Sequence, residues 1–344
     1  MSFDPRNILI IDFGQLGDVV LSLPALRAVR ERFPQARITV AVGTAAVPII
    51  ELSGHADATL SVDRVALRDG PKPLSVFRIV RLVKEVRRAG FDFVIDLHSL
   101  SETNLLGYAS GARHRLYARR PGRSLDFLSN FRPRPPLEDE RQSKHLIDRY
   151  FDVLQPLGIK AHDRVPRLQT RAADDAFIEQ VLKKERAETG APLVGLFPGA
   201  GHSSRRWPLE RFAELADQLV RNDAVRILVF AGPEERPLVS EMRRIFPRST
   251  LIFDRLTIPQ LAAAVARLAV FISNDTGPMH IAAAVGTPVA LLLDYRAPRS
   301  FLPTGNHHRI IYSRNVITQI TVGEVYQAAR ELLARGRTTS LFAS

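Results

Sequence analysis

The sequence predicts an α/β protein made of two similar halves, each a parallel sheet covered by helices. Short apolar runs that read as buried strands alternate with helix-periodic segments along nearly the whole chain. Two of these runs, residues 7–11 and 193–197, each open a half and lead into a glycine-bearing turn. Two such halves imply sheets facing a shared cleft. That arrangement suits a reaction between two large substrates, since each domain can hold one and closure can exclude water.

The elements follow in order. Residues 7–11 form an unbroken apolar run, as expected of a strand buried on both faces. Residues 19–32 carry helical periodicity; Pro24 is tolerated there only in a first turn, which makes Ser22 a candidate N-cap. Strands follow at 38–42, 58–62 and 93–95, with helices between them, and 113–117 is a further candidate. In the helical segment 74–88, Phe77, Ile79, Val80, Val83 and Val86 form an apolar set, while Arg78, Arg81, Lys84 and Arg88 share another face. Such a helix lies on anionic lipid, or packs on a sheet with its basic face solvated. Residues 119–140 are rich in Arg, Pro and Ser and read as a long loop. It ends in the acidic run Glu138-Asp139-Glu140, read as solvated surface. Helix returns at 144–157, periodicity fades over 160–170, and a polar helix covers 172–189. In the second half, strands are expected at 193–197, 226–230, 250–252, 268–272 and 289–292. Helices at 209–221, 234–245 and 258–266 lie between them, and 322–333 forms a last helix.

Composition narrows the function. The 344 residues suffice for two domains of ordinary size. No stretch reaches the ~20 apolar residues of a membrane span. The first residues lack a basic n-region and cleavage site. The absence of cysteine excludes disulfides, thiolate metal sites and thiol nucleophiles, which fits a cytoplasmic location. A net charge of +12 suits an anionic partner: a nucleoside diphosphate, a phosphorylated lipid or an acidic membrane surface. The basic residues are dispersed, without interleaved aromatics, so nucleic acid is not expected.

The chemistry concentrates in four turns. Ser273-Asn274-Asp275-Thr276-Gly277-Pro278-Met279-His280 sets an acid, a hydroxyl, a glycine and a histidine where a strand gives way to a helix. In an open α/β sheet that is where ligands bind, beside the positive helix N-terminus, and a diphosphate would suit it. The alternative is plain capping by Asp275 or Thr276, which does not require His280. The first turn, Asp12-Phe13-Gly14-Gln15-Leu16-Gly17-Asp18, is not G-x-G-x-x-G and has no ribose-binding acid at the usual distance, against a nicotinamide dehydrogenase. Asp18 there can take a proton from an acceptor hydroxyl or cap a helix. The turn after 193–197 contains Gly199, then Arg205-Arg206-Trp207-Pro208, where guanidinium groups can clamp phosphate. Trp207 is read as packed at the helix base. In Gly232-Pro233-Glu234-Glu235, a glutamate can meet ribose hydroxyls or simply favour a helix start. No H-x-x-H or D-x-D run suggests a divalent metal, and no cofactor is expected.

In sum of motifs the chain resembles the heptosyltransferases of bacterial lipopolysaccharide synthesis, glycosyltransferase family 9. The resemblance runs through Leu16-Gly17-Asp18-Val19-Val20, Leu23-Pro24-Ala25-Leu26, Phe91-Asp92-Phe93-Val94-Ile95-Asp96-Leu97 and His145-Leu146-Ile147-Asp148-Arg149-Tyr150. It is strongest at Pro198-Gly199-Ala200 with Arg205-Arg206-Trp207-Pro208, and at Asn274 to His280 followed by Gly286-Thr287-Pro288. It implies a GT-B architecture, two Rossmann-like domains facing a central cleft. Residues 1–170 would bind the acceptor, 171–190 form a linker helix, 191–321 bind the nucleotide-sugar, and 322–335 cross back to the first domain. It also implies an inverting, metal-independent transfer of a sugar, with ADP-heptose as expected donor, onto a lipopolysaccharide-core or related glycolipid. Asp18 corresponds to the catalytic base. Thr276, Gly277, His280 and Arg205 would meet the diphosphate with Asp275 orienting their loop, Gly199 would also belong to the nucleotide-sugar site, and Glu234 or Glu235 would meet the ribose. Gly14, Gln15, Gly17 and His98 are the acceptor-side candidates. A cytoplasmic enzyme, peripheral at the inner face of the inner membrane, is implied. Three positions depart from the family pattern: Asp12 stands where a basic residue is usual, Gly14-Gln15 replace small hydroxyl residues, and His98 replaces glutamine. A nucleotide-sugar epimerase of the same fold and a silent nucleotide-sugar-binding protein are the alternatives.

Overall fold

The computed structural model describes residues 3–63, 72–139, 143–185, 190–305 and 307–341. The chain divides into two compact units, Met1–Pro166 with Ser300–Leu302, and Arg167–Arg299 with Pro303–Ser344.

In the first unit the strands are β1 (Asn7–Asp12), β2 (Arg37–Gly43), β3 (Ala58–Val62), β4 (Phe93–Asp96) and β5 (His114–Tyr117), in spatial order β3-β2-β1-β4-β5. Every pairing is parallel. Central β1 has Ile8 to Ile11 wholly buried, which explains its unbroken apolar run: helices cover both faces. Each fully buried side chain of this size contributes roughly 1.5–3 kcal/mol relative to exposure. The helices are α1 (Leu16–Arg32), α2 (Val47–Ser53), α3 (Lys72–Arg88), α4 (Ser101–Ala109) and α5 (Leu146–Leu154), and α5 packs on α1. Helix α1 begins three residues before the predicted start, so Pro24 lies inside it. The missing N–H removes one rung of the ladder. Ser22 is no N-cap; its hydroxyl donates to Val19 O at 2.9 Å.

The second sheet contains β6 (Leu193–Phe197), β7 (Arg226–Phe230), β8 (Leu251–Phe253), β9 (Val270–Asn274), β10 (Val289–Asp294) and β11 (Arg309–Ser313), in order β11-β10-β9-β6-β7-β8, again all parallel. Its helices are α6 (Ala172–Lys184), α7 (Leu209–Asp223), α8 (Val239–Ile245), α9 (Ile258–Val265), α10 (Gly277–Ala284) and α11 (Val322–Leu341). Strand β9 sits two residues later than predicted, which places Ser273 and Asn274 inside the sheet. Edge strand β11 was not foreseen: its apolar residues Ile310-Ile311-Tyr312 are few, and the strand alternates between half-buried and exposed.

Helix α6 packs on α9, and Arg267 donates to Asp175 O at 2.8 Å. Its predicted tail, residues 186–189, lies outside the described residues. Helix α11 packs on α7 and on β9, β10 and β11, with Val325, Ala329 and Leu332 buried in the second unit's core. The segment after β10 that joins the first unit is Ser300–Leu302. Among the described residues no helix is long and apolar enough to cross a membrane.

Candidate active site

Both sheets reverse direction of winding at their first strand, between β1 and β4 and between β6 and β9. At such switch points the loops part and leave a crevice beyond the strands' carboxyl ends. The candidate residues gather at these two places.

In the first unit, β1 ends at Asp12, which is fully buried beneath the turn. Its Oδ1 accepts the Gly14 N–H at 3.0 Å and lies 3.9 Å from His98 Nδ1. Two departures from the family pattern, Asp12 and His98, are therefore neighbours across the switch point. Asp18 is the third residue of α1, and its Oδ2 accepts the N–H of Gln15, the N-cap, at 2.9 Å. The two readings of Asp18 left open by the sequence are thus compatible: the carboxylate ties down the helix start and also lines a cleft. Gly14 has a steric reason, since a Cβ there would fall 2.5 Å from Asp18 Cβ and 3.1 Å from Asp12 Oδ1. Gln15 is exposed, and Gly17 sits half-buried in the first turn of α1.

The cleft encloses about 480 Å³, part of it open to solvent. Its polar lining is Asp18, His98, Arg120, Glu138, Arg149 and Tyr150. Glu138 is not solvated surface as the acidic run suggested; its side chain is 18% exposed and faces Arg120 Nε at 3.0 Å and the Arg149 guanidinium. Glu140 lies outside the described residues. Arg120 also donates to His98 O at 2.8 Å. Burial pushes the Tyr150 phenol well above its ordinary value, and the Asp12 and Asp18 charges add to this, so it stays neutral.

Beneath His98 lies a buried polar network. Asp96, wholly buried, accepts the Ser99 N–H and the Asn104 Nδ2 group, both at 2.7 Å. Asn104 Oδ1 accepts the Leu125 N–H at 2.7 Å, and Tyr117 Oη donates to Asn104 O at 3.1 Å. Burial pushes the Asp96 carboxyl up to about 7, opposed by the hydrogen bonds from Ser99, Thr103 and Asn104. Ser99 adopts φ 50°, a left-handed conformation that costs a non-glycine residue energy and that this network holds in place. Sequence reasoning missed the network because its partners are polar residues scattered over thirty positions without a period.

In the second unit, Asn274 closes the switch point. Its Nδ2 donates to Pro198 O at 2.9 Å and Gly199 O at 3.1 Å, and its Oδ1 accepts the Trp207 N–H at 3.1 Å. One side chain from β9 thereby ties together the two ends of the loop after β6. Trp207 is buried, donating through Nε1 to Ile320 O at 2.9 Å, as its packing role at the helix base requires. The two arginines before it diverge. Arg206 Nε and Nη2 donate to Ala200 O at 3.2 and 3.1 Å, so it is spent on the loop. Arg205 is 38% exposed and lies 3.7 Å from Asp275 Oδ2. The loop bearing it is also held by Arg296, which donates to Ser204 O at 2.6 Å while bonded to buried Asp294. That pair carries no local sequence signal.

Thr276 is the N-cap of α10, in extended conformation, but its side chain makes no capping bond; Oγ1 lies 3.2 Å from Ser273 Oγ. The helix start is therefore presented by the backbone N–H groups of Gly277 and Met279, Pro278 between them having none, with positive dipole character. His280, one turn further, is nearly buried.

The two glutamates after β7 separate cleanly. Glu234 is exposed, its side chain at 71%. Glu235 is buried, and its Oε2 accepts the Gly232 N–H at 3.1 Å. Burial raises its carboxyl, against the Gly232 hydrogen bond and the Arg206 charge. Glu235 fills the space that Gly199 leaves: a Cβ on Gly199 would fall 2.3 Å from Glu235 Oε1 and 2.6 Å from the Phe197 ring. Gly199→Ala should therefore lower stability by about 1–3 kcal/mol, the usual cost of overpacking. Urea unfolding measures this, and Glu235→Ala in the same chain should restore most of the loss; an unchanged midpoint in the single variant would show the fit to be loose.

Two parallel sheets in separate units, each with polar loops at its switch point, form the GT-B fold seen in solved heptosyltransferase structures. The model of "Glycosyltransferase family 9 (heptosyltransferase)" matches residues 79–326, and the chain belongs to that family. It is 21% identical to the lipopolysaccharide core heptosyltransferase OpsX of Haemophilus influenzae, over 89% of this chain and 84% of OpsX. Among solved structures it is similar to the family 9 glycosyl transferase of Veillonella parvula, with a TM-score of 0.86 at 23% identity, covering 97% of this chain and 99% of that one. It is also similar to the Escherichia coli heptosyltransferase WaaC solved with ADP-2-deoxy-2-fluoro heptose, with a TM-score of 0.74 at 19% identity, covering 95% and 99%.

Proposed function

We propose that the protein transfers heptose from ADP-heptose to a lipopolysaccharide-core or related glycolipid acceptor, with inversion at the anomeric carbon and without a divalent metal. The observation that carries this reading is the place of Asp18: a carboxylate held at the start of α1, on the wall of a cleft that two arginines also line. The acceptor hydroxyl gives its proton to Asp18 as its oxygen attacks the anomeric carbon. The bond from that carbon to the diphosphate breaks, and its electron pair leaves with the phosphate. Arg205, the N–H groups at the start of α10 and His280 stabilise the charge released. A guanidinium and a helix end can supply the positive charge otherwise asked of a metal. Of the two glutamates, Glu234 accepts from the ribose on this reading, supported by its exposure, whereas Glu235 is committed to the loop. On the acceptor side, Arg120 and Arg149, held by Glu138, suit anionic groups on the core sugar or lipid. The donor assignment is supported by the ADP-heptose analogue bound to WaaC. Such work places the protein at the cytoplasmic face of the inner membrane.

The test is incubation with a panel of sugar nucleotides and a glycolipid extract, read by mass spectrometry, with product configuration read by NMR. Heptose should move from ADP-heptose to acceptor, with inverted configuration and equal rate in EDTA. Isomerisation of the donor in the absence of acceptor would favour an epimerase and overturn the reading; loss of rate in EDTA would remove metal independence.

A further inference from the structure

We propose that the exposed face of α3 docks the protein on an anionic lipid bilayer, with Phe77 and Val80 entering the acyl boundary and Arg81, Lys84 and Arg88 meeting headgroup phosphates. This rests on the reading of the acceptor as a glycolipid.

The apolar set expected for this helix splits in two. Val86 is buried, and Leu82 and Val83 pack partly against the same core. Residues 76–81, by contrast, are exposed on every side, including Val76 at 60%, Phe77 at 65%, Ile79 at 48% and Val80 at 45%. Clustered large apolar side chains left in water mark an interaction surface. Phe77, Arg81, Lys84 and Arg88 follow the spacing i, i+4, i+7, i+11 and so share one stripe, with Val80 beside it. The exposed stripe is thus apolar in its early turns and basic in its later ones.

Charge selects the occupant. The helix carries six basic residues and one acidic residue. A second copy would set like charge against like, whereas a layer of anionic headgroups neutralises it and takes up the apolar side chains. Topology gives the surface a purpose. Helix α3 ends at Arg88 and β4 opens at Phe93, parallel to β1, so the last turn of α3 lies by the amino ends of the strands. The apolar end of α3 therefore lies toward the sheet edge that carries Asp12, Gly14 and Asp18. A membrane bound there would hold the acceptor's lipid anchor on the side of the cleft.

The experiment is sedimentation of the full chain with vesicles of phosphatidylethanolamine, phosphatidylglycerol and cardiolipin, and with phosphatidylcholine vesicles, in the absence of donor and acceptor. The protein should partition onto the anionic vesicles and be released as NaCl rises from about 0.1 M to about 1 M, where screening shortens to about 3 Å. Phe77→Glu/Val80→Glu and Arg81→Glu/Lys84→Glu should each weaken partition about tenfold or more. Both should keep the wild-type Tm and normal transfer to a delipidated soluble acceptor. Wild type left in the supernatant, or either variant sedimenting as wild type does, would overturn the proposal. A dimer in solution that Phe77→Glu/Val80→Glu dissolves would also overturn it, assigning the face to self-association. Because binding is read without turnover, failure of the transfer assay leaves this result standing, and the reverse holds.

Discussion

Asp18→Asn should lower kcat by roughly 10²–10⁴-fold, the range spanned by a positioned general base. The substitution is close to isosteric. An amide oxygen can still accept the Gln15 N–H that Asp18 Oδ2 accepts at 2.9 Å, so the start of α1 should persist. Gly14, which leaves room for this side chain, is unaffected. What is lost is basicity: an amide cannot take the acceptor proton. The groups assigned to the diphosphate lie in the other unit, so ADP affinity by calorimetry should stay within about twofold if independent sites behave additively. Turnover near the wild-type rate would remove Asp18 from the chemistry and leave it a helix-start residue.

Arg205→Glu should weaken ADP binding by roughly 10–100-fold, the worth of a charge-assisted hydrogen bond plus added repulsion. Arg205 is partly exposed and 3.7 Å from Asp275 Oδ2. Reversal would place two carboxylates side by side at the position proposed for the diphosphate. Its neighbour serves as the contrast. Arg206→Glu removes both donors to Ala200 O and should act first on stability, because those bonds hold the loop. Calorimetry with ADP alongside thermal unfolding separates the two effects. Unchanged ADP affinity in Arg205→Glu would assign the diphosphate to other groups.

The turns at which the site forms were legible because their chemistry is contiguous. Gly199 with Arg205, and Asn274 to His280, each lie within a dozen residues, directly after an apolar run. The same local logic misplaced elements where neighbours far along the chain decide. Helix α1 starts early because Asp18 reaches back to Gln15, so that Pro24 falls inside the helix. Strand β11 escaped notice because its apolar stretch, Ile310 to Tyr312, is short and no residue of this edge strand is fully buried. Glu138 read as solvent-facing until Arg120 and Arg149, distant in sequence, closed on it. Phe77 and Val80 read as members of one apolar set with Val83 and Val86, facing either lipid or the sheet, and nothing local could say that only the later turns of α3 are covered.

The amino-acid sequence alone determined the class of architecture, the two parallel sheets and the loops where ligands would gather, because apolar period and turn chemistry act over a few residues at a time. Tertiary structure decided which members of each loop are committed to holding it. Asn274 is bonded across the β6–β9 junction to carbonyls some seventy-five residues earlier. Glu235 fills the gap above Gly199, and Arg206 is fastened to Ala200, while Arg205 and Glu234 remain accessible. The residue types in these pairs are alike, and burial together with hydrogen-bond partners brought from distant strands is what separates them.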